Sequence, residues 1–211
     1  MPDSRSILLA AAAEEFAKHG LHGTRIQAIV SRAGINERMI YHHFGSKQGL
    51  YTAVLHDQRV GVGAAWRPIL DKAAAQDPYT GMRMALTSLF DILLARPLLL
   101  ALLLHEALAQ SRTLALPTAE LLPASLRELY EAGQREGVFR RDCPFEVAYA
   151  TAIGALFALT VFAPPLADDL TTAASGMPAL RDQVVGQLMD GMTGPTSPEP
   201  ERRLSNHVTA H

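Results

Sequence analysis

The chain of 211 residues predicts an all-α protein, three short helices at the N-terminus followed by a larger helical body. Three observations carry that reading. No segment alternates apolar and polar residues as a half-buried strand would. Apolar residues recur three and four positions apart through most of the chain. Capping residues, prolines and glycines punctuate those periodic stretches at helix-length intervals.

The elements follow in order. A first helix is expected from about Ser4 to His19, stopped by Gly20. Thr24 followed by Gln27 has capping-box spacing, so a second helix can begin at Arg25, with Ile26, Ile29, Val30 and Ala33 on one apolar face. Gly34 ends it where a left-handed residue is needed. Asn36 can cap a third helix with Ile40 and Phe44 inward and Glu37, Arg38, Tyr41 and His42 outward. Ser46 can cap a fourth, reaching roughly Ala75, with Gly61, Gly63 and Pro68 as places to bend or break. Asp77-Pro78 opens a helix through Ala95, and Arg96-Pro97 restarts the chain into the apolar run Leu98–Leu104. Pro117 and Pro123 precede a helix ending near Gly137. Asp142-Cys143-Pro144 then starts a long helix whose residues Val147–Ala167 carry no charge over 21 positions. Such a stretch is long enough to cross a bilayer, but Pro164-Pro165 and its Ala and Gly content favour burial inside a soluble assembly. The last helix runs from Pro178 to about Met192, with Leu180, Val184, Leu188 and Met192 four residues apart. From Gly194 onward Pro, Ser, Glu and Arg predict a disordered tail. The expected division is 1–46 head, 47–193 body and 194–211 tail.

The two short helices joined by the Gly34 turn have the layout of a helix-turn-helix whose second helix reads DNA. Charge agrees in direction. Residues 1–52 carry six Lys/Arg against four Asp/Glu, a net of +2, while the remainder carries thirteen against seventeen, a net of −4. A mildly basic head on an acidic body suits phosphate contact by the head alone. Arg38 can donate two hydrogen bonds to guanine O6 and N7. Asn36 could read adenine, in competition with its capping role. The Tyr41 hydroxyl and the Lys47 charge suit phosphate anchoring. His42 faces either DNA or solvent, while His43 packs beside Phe44.

The segment Tyr41-His42-His43-Phe44-Gly45-Ser46-Lys47 through Tyr51 closely resembles the end of the DNA-binding domain of TetR-type transcriptional regulators. The resemblance begins with Leu8, Ala12, Phe16 and Gly20 and runs to about Leu55. It implies the same phosphate role for Tyr41 and Lys47, and a further phosphate contact at Thr24 or Arg25. It also implies a homodimer in which the last two long helices form a four-helix bundle, and a body that binds a small effector whose presence releases DNA. Two departures stand out: Arg38-Met39 replaces the usual small residue and Thr, and Ala28 replaces a frequently acidic position. Operator sequences of the family therefore do not transfer.

The chain offers its own support for a dimer, a stripe of small residues at Ala150, Gly154 and Ala158, with Val184 and Leu188 on the partner helix. The alternative is that the stripe packs within one subunit. Candidates to line an effector pocket are Trp66, Met84, Phe90, Leu94, Leu102, His105, Tyr130 and Phe157, favouring an apolar or aromatic molecule. Enzyme patterns stop short. His105-Glu106 has Ala109 where a zinc-protease helix needs its second His, and Gly61-Val-Gly63 follows no strand. No cofactor or metal is expected. Cys143 is the only cysteine, excluding an intrachain disulfide, and no secretory signal opens the chain, so a cytoplasmic location away from membranes is expected. The competing class is an effector-independent architectural DNA protein, which would call for a more basic surface.

Overall fold

The computed structural model describes residues 3–109, 123–173 and 176–194, so Pro117 and the tail beyond Gly194 lie outside the described residues. The described residues form α-helices and no strand: α1 (Ser4–Gly23), α2 (Ile26–Ala33), α3 (Arg38–Phe44), α4 (Lys47–Ala74), α5 (Pro78–Leu94), α6 (Pro97–Leu108), α7 (Ala124–Glu136), α8 (Phe145–Ala173) and α9 (Met177–Thr193). Among them no single helix is long and apolar enough to cross a membrane.

Two apolar clusters organise the chain. In the first, Leu8, Ala12 and Phe16 of α1 bury against Ile29 of α2, Ile40 of α3 and Leu50, Tyr51, Val54 and Leu55 of α4. Phe16 meets the Tyr51 ring edge-on with centroids 4.9 Å apart. Full burial of a side chain such as Phe16 stabilises by about 1.5–3 kcal/mol, so three short helices that could not persist alone are fixed against α4. The first turns of α4 thus pack with the head. The second cluster holds Trp66, Met82, Leu86 and Phe90 against Tyr130, Phe139, Leu156, Val185 and Met189. Close approaches at two glycines make that packing possible. A Cβ on Gly81 would run into the Ala73 carbonyl, and one on Gly133 into the Phe139 ring.

Local signals account for most boundaries. Gly34 adopts φ 65° and ψ 26° after α2, and its N–H donates to the Val30 carbonyl. Ser46 Oγ accepts from the Gly49 N–H at 2.9 Å, and Asp77 Oδ1 from the Thr80 N–H at 3.0 Å. Three expectations are corrected. First, α1 does not end at Gly20. It kinks there, with φ 64° and ψ −179°, and continues to Gly23. Second, Thr24 does not cap α2. Its side chain is buried, and its hydroxyl donates to the Gly20 and Glu15 carbonyls at 2.7 and 3.1 Å, serving acceptors freed by the kink. Third, α4 passes through Gly61, Gly63 and Pro68 as one continuous helix. The α9 stripe also shifts: Leu180, Val185, Met189 and Met192 are buried, leaving Val184 and Leu188 half-buried at its edge.

Candidate nucleic-acid interface

Helix α3 owes its exposed face to anchors on both sides. Ile40 is fully buried beneath it, and Asn36 Oδ1 accepts from the Arg38 N–H at 2.9 Å, fixing the first turn. That bond commits Asn36 Oδ1 to the turn that opens α3. Arg38 and His42 are then exposed, and Tyr41 is 49% exposed with its hydroxyl donating to Glu37 Oε1 at 3.3 Å. His43 turns inward as expected. Its Nε2 lies 2.9 Å from Ser4 Oγ, and its ring lies 5.9 Å from that of Phe44.

The flanking cations lie on neighbouring elements. Arg25 is exposed at the start of α2, whereas Thr24 is only 2% exposed with its hydroxyl doubly committed, so of this pair Arg25 is the one able to reach a phosphate. Lys47 begins α4, its Nζ 3.5 Å from the His22 carbonyl, a contact too long to hold the ammonium strongly. Arg5 was not singled out by spacing or motif, yet its guanidinium sits 5.5 Å above the Phe44 ring at the same end of the head. Arg32 ties α2 to α1 through Glu14 and Glu15 at 2.6 and 2.8 Å. The head thus presents Arg38, Tyr41 and His42 from one short helix, with Arg25 and Lys47 on the adjoining elements. Side chains placed in this way can read bases at the centre of a footprint and grip phosphates at its edges.

The body candidates do not converge. Trp66, Phe90 and Tyr130 are packed in the second cluster, with the indole N–H donating to the Ala85 carbonyl and Ser88 Oγ, both at 3.2 Å. Phe157 is half-buried against that cluster, and Leu94 is partly exposed at the end of α5. Leu102 belongs to the head's cluster, and His105 Nε2 donates to the Ala17 carbonyl at 3.1 Å across the head–body junction. Met84 alone of the eight lines an open groove of about 530 Å³ between α5 and α9, together with Thr80, Arg83, Thr87, Asp91 and Asp182. Among the described residues these eight therefore divide between core, surface and junction. Of the dimer candidates, Ala150 and Gly154 are exposed and Ala158 half-buried, and a Cβ on Gly154 would meet nothing within 4 Å.

Residues 8–54 match the family model described as bacterial regulatory proteins, tetR family, and residues 78–170 match that of the tetracyclin repressor-like C-terminal domain. The chain is 34% identical over 153 residues to the HTH-type transcriptional repressor NicS of Pseudomonas putida, covering 69% of this chain and 70% of that protein. It is 28% identical over 149 residues to the repressor KstR2 of Rhodococcus jostii, covering 69% and 72%. The crystal structure of a putative transcriptional regulator, SCO4942 of Streptomyces coelicolor, superposes with a TM-score of 0.69 at 25% identity, covering 92% of this chain and all of that one. With both regions matched in sequence, the head's exposed α3 face and the helical body fall into place: the chain belongs to the TetR family of DNA-binding bacterial transcriptional regulators.

Proposed function

We propose that this protein is a homodimeric repressor whose grip on an operator is relaxed by a small effector held in the body. The observation that carries the reading is the α3 face, with Arg38, Tyr41 and His42 exposed over a buried Ile40. Repression is supported by the names of the two relatives, both transcriptional repressors. Dimerisation is supported by the open face of α8, where Val147 is 55% exposed and the Gly154 position has room for a close neighbour. Two heads related by a two-fold axis place their α3 helices in successive major grooves, about 34 Å apart on one face of the duplex. The mixed lining of the α5–α9 groove, with Arg83 and Asp91 beside Met84, favours an effector with polar groups over a purely apolar one.

Selection of bound duplexes from a random library tests the reading. A repressor of this kind enriches a palindromic site with half-sites one helical turn apart. Recovery of unrelated sequences, with affinity tracking salt alone, would instead identify an architectural protein.

A further inference from the structure

Where the head meets the body, a cavity of about 320 Å³ lies between the α1 kink, the start of α4 and the end of α6. Its walls include Leu21, Tyr51, His105, Glu106 and Leu108. Glu106 is only 5% exposed. Its Oε1 accepts from the Tyr51 hydroxyl at 2.7 Å, but its Oε2 is buried with no hydrogen-bond partner among the described residues. A buried carboxylate held by one hydroxyl is costly, and a donor carrying positive charge removes most of that cost.

The surrounding groups do not supply such a donor. Tyr51 is committed to Oε1, and burial together with the neighbouring carboxyl raises its pKa far above the usual phenol range, so it stays a neutral donor. His105 spends its Nε2 proton on the Ala17 carbonyl. Among the described residues neither Lys nor Arg lines the cavity; His19 and His22 are exposed at its rim and neither hydrogen-bonds Oε2, while Leu21, Leu108 and the Tyr51 ring supply apolar wall. At Oε2 an anion would face the buried carboxylate, and a neutral apolar molecule would leave that oxygen unpaired. The complementary ligand is an ammonium on a short aryl or alkyl body.

We propose that this junction cavity binds a small organic cation, its ammonium donating to Glu106 Oε2, and that its occupancy alters operator affinity. The site touches α1 on the head side and α6 on the body side, so a ligand that fits one head orientation better than another shifts the balance between them. The regulatory half rests on the repressor reading above; the binding half does not.

The test is calorimetric titration of 2-phenylethylammonium into the full chain, with 2-phenylethanol as the neutral counterpart of the same shape. The ammonium should bind the wild type about ten- to a hundredfold more tightly than the alcohol, the scale of a hydrogen bond to a charged group. Glu106→Gln should erase that gap. Leu108 is 74% exposed at the cavity wall, so Leu108→Trp can crowd the entrance without loading the core, and it should weaken both ligands while leaving thermal unfolding unchanged. That variant keeps the test decisive should Glu106→Gln fail to fold. Fluorescence anisotropy on a selected operator, with and without the ammonium, reads the coupling. Equal binding of ammonium and alcohol, or no binding, overturns the site while leaving operator recognition standing. Binding with no change in operator affinity overturns the coupling. Failure to select any operator overturns the repressor reading, and calorimetry still decides the cavity.

Discussion

Arg38→Ala separates DNA reading from folding more cleanly than any other change in the head. The Arg38 side chain is exposed, and its guanidinium has no ion-pair or hydrogen-bond partner among the described residues. What fixes α3 at this position is the backbone N–H to Asn36 Oδ1, which alanine retains. Alanine is also the better helix former. Stability should therefore move by less than about 0.5 kcal/mol. On DNA the loss is larger, about 1–3 kcal/mol for a bidentate contact to guanine. Two distant copies on a symmetric operator add, giving about 2–6 kcal/mol. The assay pairs thermal unfolding with anisotropy titrations against the selected operator and its single-base variants at fixed salt. Wild type should discriminate at one position per half-site, and the variant should bind all four bases there alike while keeping the other preferences. An unchanged preference, or a weaker complex explained by a lower melting temperature, would refute the assignment.

If Lys47 grips a phosphate, Lys47→Ala should weaken binding to all sequences alike and reduce the magnitude of the salt slope by about one; a sequence-selective loss at unchanged slope would count against it. Gly154→Leu begins in open space in the isolated subunit, where a Cβ would meet no described atom within 4 Å. In a dimer packed through α8 it should cost about 1–3 kcal/mol of association, visible as dissociation in sedimentation. Gly133→Ala drives a methyl into the Phe139 ring and should destabilise the body by about 1–3 kcal/mol in chemical denaturation. Acid should also loosen the Asp77 cap and the Arg140–Asp142 ion pair. Hydrogen bonds from Thr80 hold Asp77 below the ordinary aspartate value of 3.8, and the hydrogen-bonded Arg140 guanidinium does the same for Asp142. Their contribution is complete above that value and is lost as pH falls through the lowered ones, so Asp77→Asn should lessen the fall in melting temperature between pH 7 and pH 3.

The sequence exposed what is decided within one turn of helix. Gly34, Asn36, Ser46 and Asp77 act on neighbours one to four residues away, and each performs the predicted task. Thr24 had the same kind of signal and went elsewhere, because the kink at Gly20 freed carbonyls nearer to its hydroxyl than the α2 amides. The pocket candidates rest on residue type, and residue type does not say which cluster a helix joins. That depends on the 88° bend between α5 and α6, which carries Leu102 and His105 away from the body core and onto the head. Glu106, alone among the leucines of its helix, was visible in the sequence as an oddity. Its meaning required the partner, Tyr51, fifty-five residues earlier.

That bend also changes how an effector signal would travel. The glycines of α4 suggested a flexing lever, but Gly61 is a docking point: its carbonyl accepts from Arg96 Nη2 at 2.9 Å, and a Cβ there would lie 2.7 Å from Nη1. Arg96 stands at the corner from which α6 departs, so the α5–α6 corner is pinned to the middle of α4. Beyond the corner, α6 places Leu98 and Leu102 in the head's cluster, His105 on the Ala17 carbonyl and Glu106 on Tyr51. Twelve helical residues span about 18 Å, and a tilt of about 5° over that length displaces the far end by about 1.5 Å. That is enough to stretch the 3.1 Å His105 bond beyond hydrogen-bonding range. A molecule wedging α5 from the groove side need not bend α4 at all to move the head. In the regulation proposed above, a tilt of α6 would suffice, since the buried groups that join α6 to the head would carry the head with it.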